Sequence, residues 1–154
     1  MSSLSALHVA VEMATRQRDD ARRALQDAQN ARHAAADQLH QLQSYAVETD
    51  QRWGMAEDSL RGPEVLYHHR HFMGRLDHAI GLQTGVVHDQ DTRLAQLAQR
   101  LLQAELRLTS LRKVVERRQH ELALAQMRRD QKQTDERASL QYRSSPPGLA
   151  AQES

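Results

Sequence analysis

Apolar side chains recur along this chain at alternating steps of three and four. From Leu4 the steps land on Leu7, Val11, Ala14, Arg18, Ala21, Leu25, Ala28, Arg32, Ala35, Leu39, Leu42, Ala46, Thr49, Trp53, Ala56 and Leu60, with only Arg18, Arg32 and Thr49 interrupting. A period of 3.5 residues held for about eight heptads predicts a coiled-coil helix rather than a globular one. The pattern ends at "RGPEV", where Gly62 can take a left-handed conformation and Pro63 fits the first turn of a new helix but not the middle of an old one. A second register then runs through Leu66, His69, Met73, Leu76, Ile80, Gln83, Val87, Gln90, Leu94, Leu97, Leu101, Ala104, Leu108, Leu111, Val115, Arg118, Leu122 and Ala125. Beyond it the same positions hold Arg129, Lys132, Glu136 and Ser139, so the helix is expected to continue after its apolar seam has ended.

Two such helices joined by a few residues fold back on each other as an antiparallel hairpin. The expected fold is therefore all-α: a long two-helix coiled-coil hairpin over residues 1–142, with helix one at about 3–60, a turn at about 61–63 and helix two at about 64–142. The segment "RSSPPGLAAQES" at 143–154 reads as a disordered tail. The first seam is rich in Ala and the second in Leu, which lets large residues pack over small ones at close helix separation. A turn centred near Gly62 pairs residues whose numbers sum to roughly 124, setting Leu4 opposite His120 and Tyr45 opposite Ala79. At 1.5 Å per residue the hairpin would be about 85 Å long, with helix two overhanging by roughly 30 Å.

Composition agrees with a fibrous rather than globular chain. Aromatic residues make up 3% of the sequence, and six Gly and three Pro among 154 residues leave few helix breakers. The absence of Cys excludes disulfides, Cys zinc sites and thiol nucleophiles. The N-terminus lacks the charged and apolar segments of a secretory signal, and no run approaches the ~18 apolar residues of a membrane span, so a soluble, cytoplasmic protein is expected. The net charge of +1 exerts no overall pull on nucleic acid or anionic lipid.

Candidate chemistry is sparse. "LYHHRHF" brings three histidines together, and Glu64, His68 and His71 could share a helix face. No pair among them has the i, i+4 spacing of the helical zinc motif, so a solvated helix start is the expected reading and no metal or other cofactor is assigned. A two-stranded rod offers no water-excluding cavity, and no catalytic residue is assigned either.

Charge is polarised instead. Residues 107–132 carry eight Lys and Arg against three acids, and residues 48–64 carry five acids against two Arg. The basic end could meet nucleic acid, but no aromatics are interleaved for stacking and the acids break up a phosphate-tracking stripe. An acidic protein surface fits it better, and solvated charge with no partner is the plain alternative.

Heptad labels give a further asymmetry. With Leu39, Met73 and Ile80 as a and Leu42 and Leu76 as d, the g positions near the turn are Gln38, Tyr45, Arg52, Val65, Phe72, Ala79 and Val86. The e positions are Gln43, Asp50, Glu57, Arg70, Asp77, Thr84 and Asp91. One flank is thus largely apolar and the other polar. Tyr45 and Phe72 could form a docking strip or could simply widen the seam. Gly74, Gly81 and Gly85 fall on outward positions, where each costs the helix up to about 1 kcal/mol against Ala.

Together with "FMGRLDHAIGLQ" (Phe72, Leu76, Ala79, Ile80, Gln83) and "RRDQKQTDERA" (Asp130, Gln131, Lys132, Asp135, Glu136), this order of elements resembles the FliJ family of flagellar export-apparatus proteins over residues 4–142. The resemblance implies an antiparallel coiled coil similar to the rotor shaft of F-type ATPases. It implies that the end holding both termini enters a hexameric export ATPase and promotes ring assembly and activity. That places Leu4, Leu7, Val11, Leu122, Met127, Arg128, Arg129, Asp130, Gln131 and Lys132 against the ring. The turn-proximal half would meet the cytoplasmic part of the membrane export gate through Gln38, Leu42, Tyr45, Phe72, Leu76 and Ala79. Thr49 and Gln83 depart from that flank's pattern with smaller or polar groups. The family is also linked to export chaperones, and implies a cytoplasmic protein held at the inner membrane through its partners. The equivalent stalk of a virulence injectisome would share this fold, and a coiled coil acting on nucleic acid is the reading from another class.

Overall fold

A computed structural model of the chain describes residues 2–55 and 62–144, apart from the side chains of Ser2 and Met55. Among these residues there are two α-helices, α1 (Ser2–Met55) and α2 (Pro63–Ser144), and no strand. The two helices pack against each other. The expected last turn of helix one lies outside the described residues, as do 145–154, while Arg143 and Ser144 extend α2 slightly past its expected end.

The start of α2 follows from its first residues. Pro63 occupies the opening helical position, where its missing N–H has no partner to lose, and Glu64 places a carboxylate in the positively polarised first turn. Gly62 does not take the left-handed conformation allowed for it, because no described glycine has positive φ. Its carbonyl instead accepts the N–H of Leu66 at 3.2 Å, so Gly62 acts as the N-cap of α2 rather than as the C-terminal cap of α1.

The chain divides into two compact units, one of Met1–Met13 with Leu108–Ser154 and one of Ala14–Arg107. In the Ala14–Arg107 unit, α1 and α2 are antiparallel. Their contacts join Arg22 to Glu105, Arg32 to Asp91, Ala35 and Gln38 to Gln83, Tyr45 to Phe72, and Trp53 to His69, with residue numbers summing to between 117 and 127. These sums bracket the expected 124, and the heptad register is the reason: each pairing keeps one apolar stripe opposite the other.

Burial traces the same stripes. Every described seam position from Leu4 to Trp53, and from Leu66 to Val115, is buried or half-buried. The buried residues of α1 are Ala14, Ala28 and Ala35, and those of α2 are Leu76, Leu97, Leu108 and Val115, so small residues do line one helix and large ones the other. In the unit of the two termini, Leu4, Leu7 and Val11 are half-buried, as is Leu111, and Leu108 is only 2% exposed. From Glu116 to Ser144 every residue except Ala125 is exposed. The α2 seam named from spacing thus holds to Val115 and not beyond: Arg118 and Leu122, named in the same register, are exposed, and only Ala125 is half-buried.

Three polar residues of the seam are held by specific bonds, while the buried Oε1 of a fourth, Gln90, accepts none among the described residues. The Gln83 amide donates to the Ala35 carbonyl at 2.9 Å and to Gln38 Oε1 at 3.3 Å, which satisfies a polar side chain where the register demands an apolar one. The Arg32 guanidinium donates to Asp91 Oδ1 at 2.8 Å, and the Arg18 guanidinium turns to the neighbouring Asp19 at 2.9 Å.

Candidate interaction sites

Within the Ala14–Arg107 unit, the g flank is the more apolar one. Tyr45 and Phe72 meet edge to face, with ring centroids 6.1 Å apart and planes at 84°, a favourable aromatic geometry. Yet they are 49% and 40% exposed, so they both widen the seam and present ring surface to solvent. The strip continues outward through Val65, Leu82 and Val86, all exposed. Beside it Gln38, Gln41, Leu42, Tyr45 and Gln83 line a shallow groove of about 340 Å³. Leu42 and Ala79 are half-buried, whereas Leu76 is a core residue at 7% exposure that supports the strip from below. Thr49 donates its hydroxyl to the Tyr45 carbonyl at 2.7 Å, so its polar group folds back on its own helix.

On the opposite flank a wider, shallow groove of about 600 Å³ is lined by Ala46, Val47, Asp50, His69, Arg70, Met73, Gly74 and Asp77. The groove itself was not evident from the heptad labels, which gave the polar e positions but not the open space left by Ala46 and Gly74.

The histidine cluster separates into different environments. His69 lies face to face with Trp53, ring centroids 3.7 Å apart and planes 17° from parallel. His68 and His71 instead flank Tyr67, one edge-on at 5.8 Å and one parallel at 6.2 Å. Among the described residues no three His, Asp or Glu groups are placed to hold a metal ion. Both Trp53 and His69 were legible as seam positions, but their stacking was not, because periodicity fixes direction and not ring orientation.

The unit of the two termini holds the other candidate surface. Leu122 and Met127 are 51% and 67% exposed, and Arg128, Arg129, Gln131 and Lys132 project around the same part of α2. Asp130 is bound locally, accepting from the Gln126 amide at 3.1 Å and, through its carbonyl, from the Thr134 hydroxyl at 2.9 Å. Those bonds tie the only acid of this run into the helix and leave the cations outward. On α1, Val9 and Met13 are exposed while Leu4, Leu7 and Val11 face the seam. On α1 the spacing thus singled out the seam residues and passed over Val9 and Met13, for which isolated positions give no periodic signal.

Among the described residues no helix is long and apolar enough to cross a membrane. A family model described as "Flagellar FliJ protein" matches residues 3–146. No curated protein and no solved structure matches the chain.

Proposed function

Because the chain belongs to the FliJ family, and is thereby a protein of the flagellar export apparatus, we propose that it is the central stalk of the type III export ATPase complex. In this reading the end that carries both termini enters the hexameric ATPase, and the Tyr45 and Phe72 flank meets the cytoplasmic part of the export gate. The protein then works in the cytoplasm, at the inner membrane through its partners, and meets export chaperones there. Nucleotide is held by the ATPase, since this chain has no Gly-rich phosphate loop.

The observation that carries the proposal is the exposed run of α2 from Glu116 to Ser144. It sets Leu122 and Met127 in solvent among Arg128, Arg129 and Lys132. A helix with apolar side chains and an excess of cations on its surface suits an acidic, partly apolar enclosure. A stalk acts by presenting unequal faces to equivalent subunits, so that ring conformation and stalk orientation bias each other. The asymmetric placement of Leu122, Met127 and the cations supplies such faces. The match to a flagellar family model supports this system over the injectisome stalk.

The test is to add the purified protein to the cognate ATPase and follow both ring assembly and hydrolysis. Both should rise, and R128E/R129E should abolish the rise. Y45A/F72A should instead weaken capture by the gate fragment and leave the stimulation intact. No change in assembly or hydrolysis, together with salt-sensitive DNA binding, would overturn the proposal in favour of a nucleic-acid role.

A further inference from the structure

Between Leu76 and Leu97, each 7% exposed, no residue of α2 is buried. The seam positions in that span, Ile80, Gln83, Val87, Gln90 and Leu94, are all half-buried, and two of them are glutamines. The two amides fare unequally. Gln83 donates to the Ala35 carbonyl and to Gln38, whereas Gln90, one heptad later, buries an Oε1 that accepts no hydrogen bond among the described residues. A buried acceptor left without a donor favours any opening that lets water reach it. Beside Gln90 the two helices also leave an open groove of about 430 Å³, bordered by Ala24, Ala28 and Ala31.

The backbone of the same span is weakened as well. Gly81 and Gly85 stand inside the helix, where glycine has more conformational freedom to lose than any other residue, and α2 has no glycine beyond them. Thr84 and Thr92 turn their hydroxyls onto the carbonyls of Ile80 and His88, at 2.7 and 3.2 Å, an arrangement that loosens and bends helices. What ties the span to α1 is directional and polar: the Gln83 bonds, and Arg32 with Asp91 at 2.8 Å. Such bonds fix alignment without the buried apolar area that resists bending.

We propose that α2 carries a flexure between Leu76 and Leu97, centred on Gly81 and Gly85. There the helix bends and its amides open, while the apolar contacts of Leu76 and Leu97 on either side stay closed. Register survives each excursion, because the polar bonds of Gln83 and Arg32 re-form in one alignment only. The Ala14–Arg107 unit is thus stiff at two places and compliant between them. This inference does not rest on the stalk reading, since it concerns the isolated chain.

Hydrogen exchange of the full chain, read by mass spectrometry, tests it. Amides within 79–93 should be protected at least about tenfold less than amides within 97–107, although both stretches pair with α1. G81A/G85A should raise protection in 79–93 about tenfold through the added helix propensity and leave 97–107 unchanged. Q90L should raise it too, because it removes the orphaned acceptor and sets an aliphatic side chain against Ala28 and Ala31. Bending is read separately by spin labels on H78C/Q99C, two exposed positions about 32 Å apart along a straight helix. The chain has no cysteine of its own to interfere. The distance distribution should be broad in the otherwise unaltered chain and narrower when G81A/G85A is added. Equal protection in the two stretches, or a distribution that G81A/G85A leaves as it was, would overturn the proposal. So would variants that slow both stretches alike, since the opening would then be global unfolding.

Discussion

Replacing Leu108 with Ala should expose how much of the stability rests on a single stripe. Leu108 is 2% exposed, the largest fully buried side chain among the described residues. The substitution removes three carbons, which at ~0.8 kcal/mol each is about 2.4 kcal/mol of transfer free energy. In a globular core a cavity contribution would add to this. Here half-buried neighbours such as Leu111 border solvent and can settle into the gap, so the total should stay near 2–3 kcal/mol. The comparison is Leu106→Ala two residues earlier, at 59% exposure, where less than half of the side chain is withdrawn from water and the loss should be below about 1 kcal/mol. Urea denaturation followed by circular dichroism at 222 nm measures both, with the slope checked for constancy. Equal losses for the two variants, within about 0.5 kcal/mol, would refute the assignment of a one-sided seam in this part of α2.

Gly81→Ala and Gly85→Ala should each stabilise the protein by about 0.5–1 kcal/mol, because neither Cβ would meet an atom within 4 Å and the helix gains propensity; thermal melting reads the gain, and a loss would mean that something unseen packs there. His69→Ala should shift the fluorescence of Trp53, the single tryptophan of the chain, to longer wavelength, because the imidazole covers one face of the indole at 3.7 Å; an unchanged emission maximum would show that the rings are not stacked in solution.

The fold was legible because the information is periodic. The positions named from spacing between Leu4 and Trp53 and between Leu66 and Val115 all prove to be buried or half-buried, whereas Arg118 and Leu122, named in the same register, are exposed. Pro63 announced the start of α2 for the same reason that it occurs there, its fixed φ and missing donor. What spacing could not supply is how the exceptions are satisfied. Gln83 sits in the seam because an Ala opposite leaves its own backbone carbonyl within reach, and Arg32 because Asp91 stands on the adjoining edge. Neither solution repeats along the chain, so neither leaves a pattern to detect. The flanks were legible as apolar and polar, but whether Tyr45 and Phe72 were docking surface or packing had no answer in heptad labels. Side-chain tilt decides how much ring is left over: Tyr45 and Phe72 pack edge to face and still present ring surface to solvent.

The exposed run from Glu116 to Ser144 also has thermodynamic implications. Beyond Ala125 no second helix buries a side of that run, so it is helical there by local preference alone, and such helices unwind gradually with heat instead of in a single step. Its amides should therefore exchange with deuterium far sooner than those around Leu97 or Leu76. Anything that wrapped the run would be recognised first as slowed exchange there, before any change in the shape of the fold.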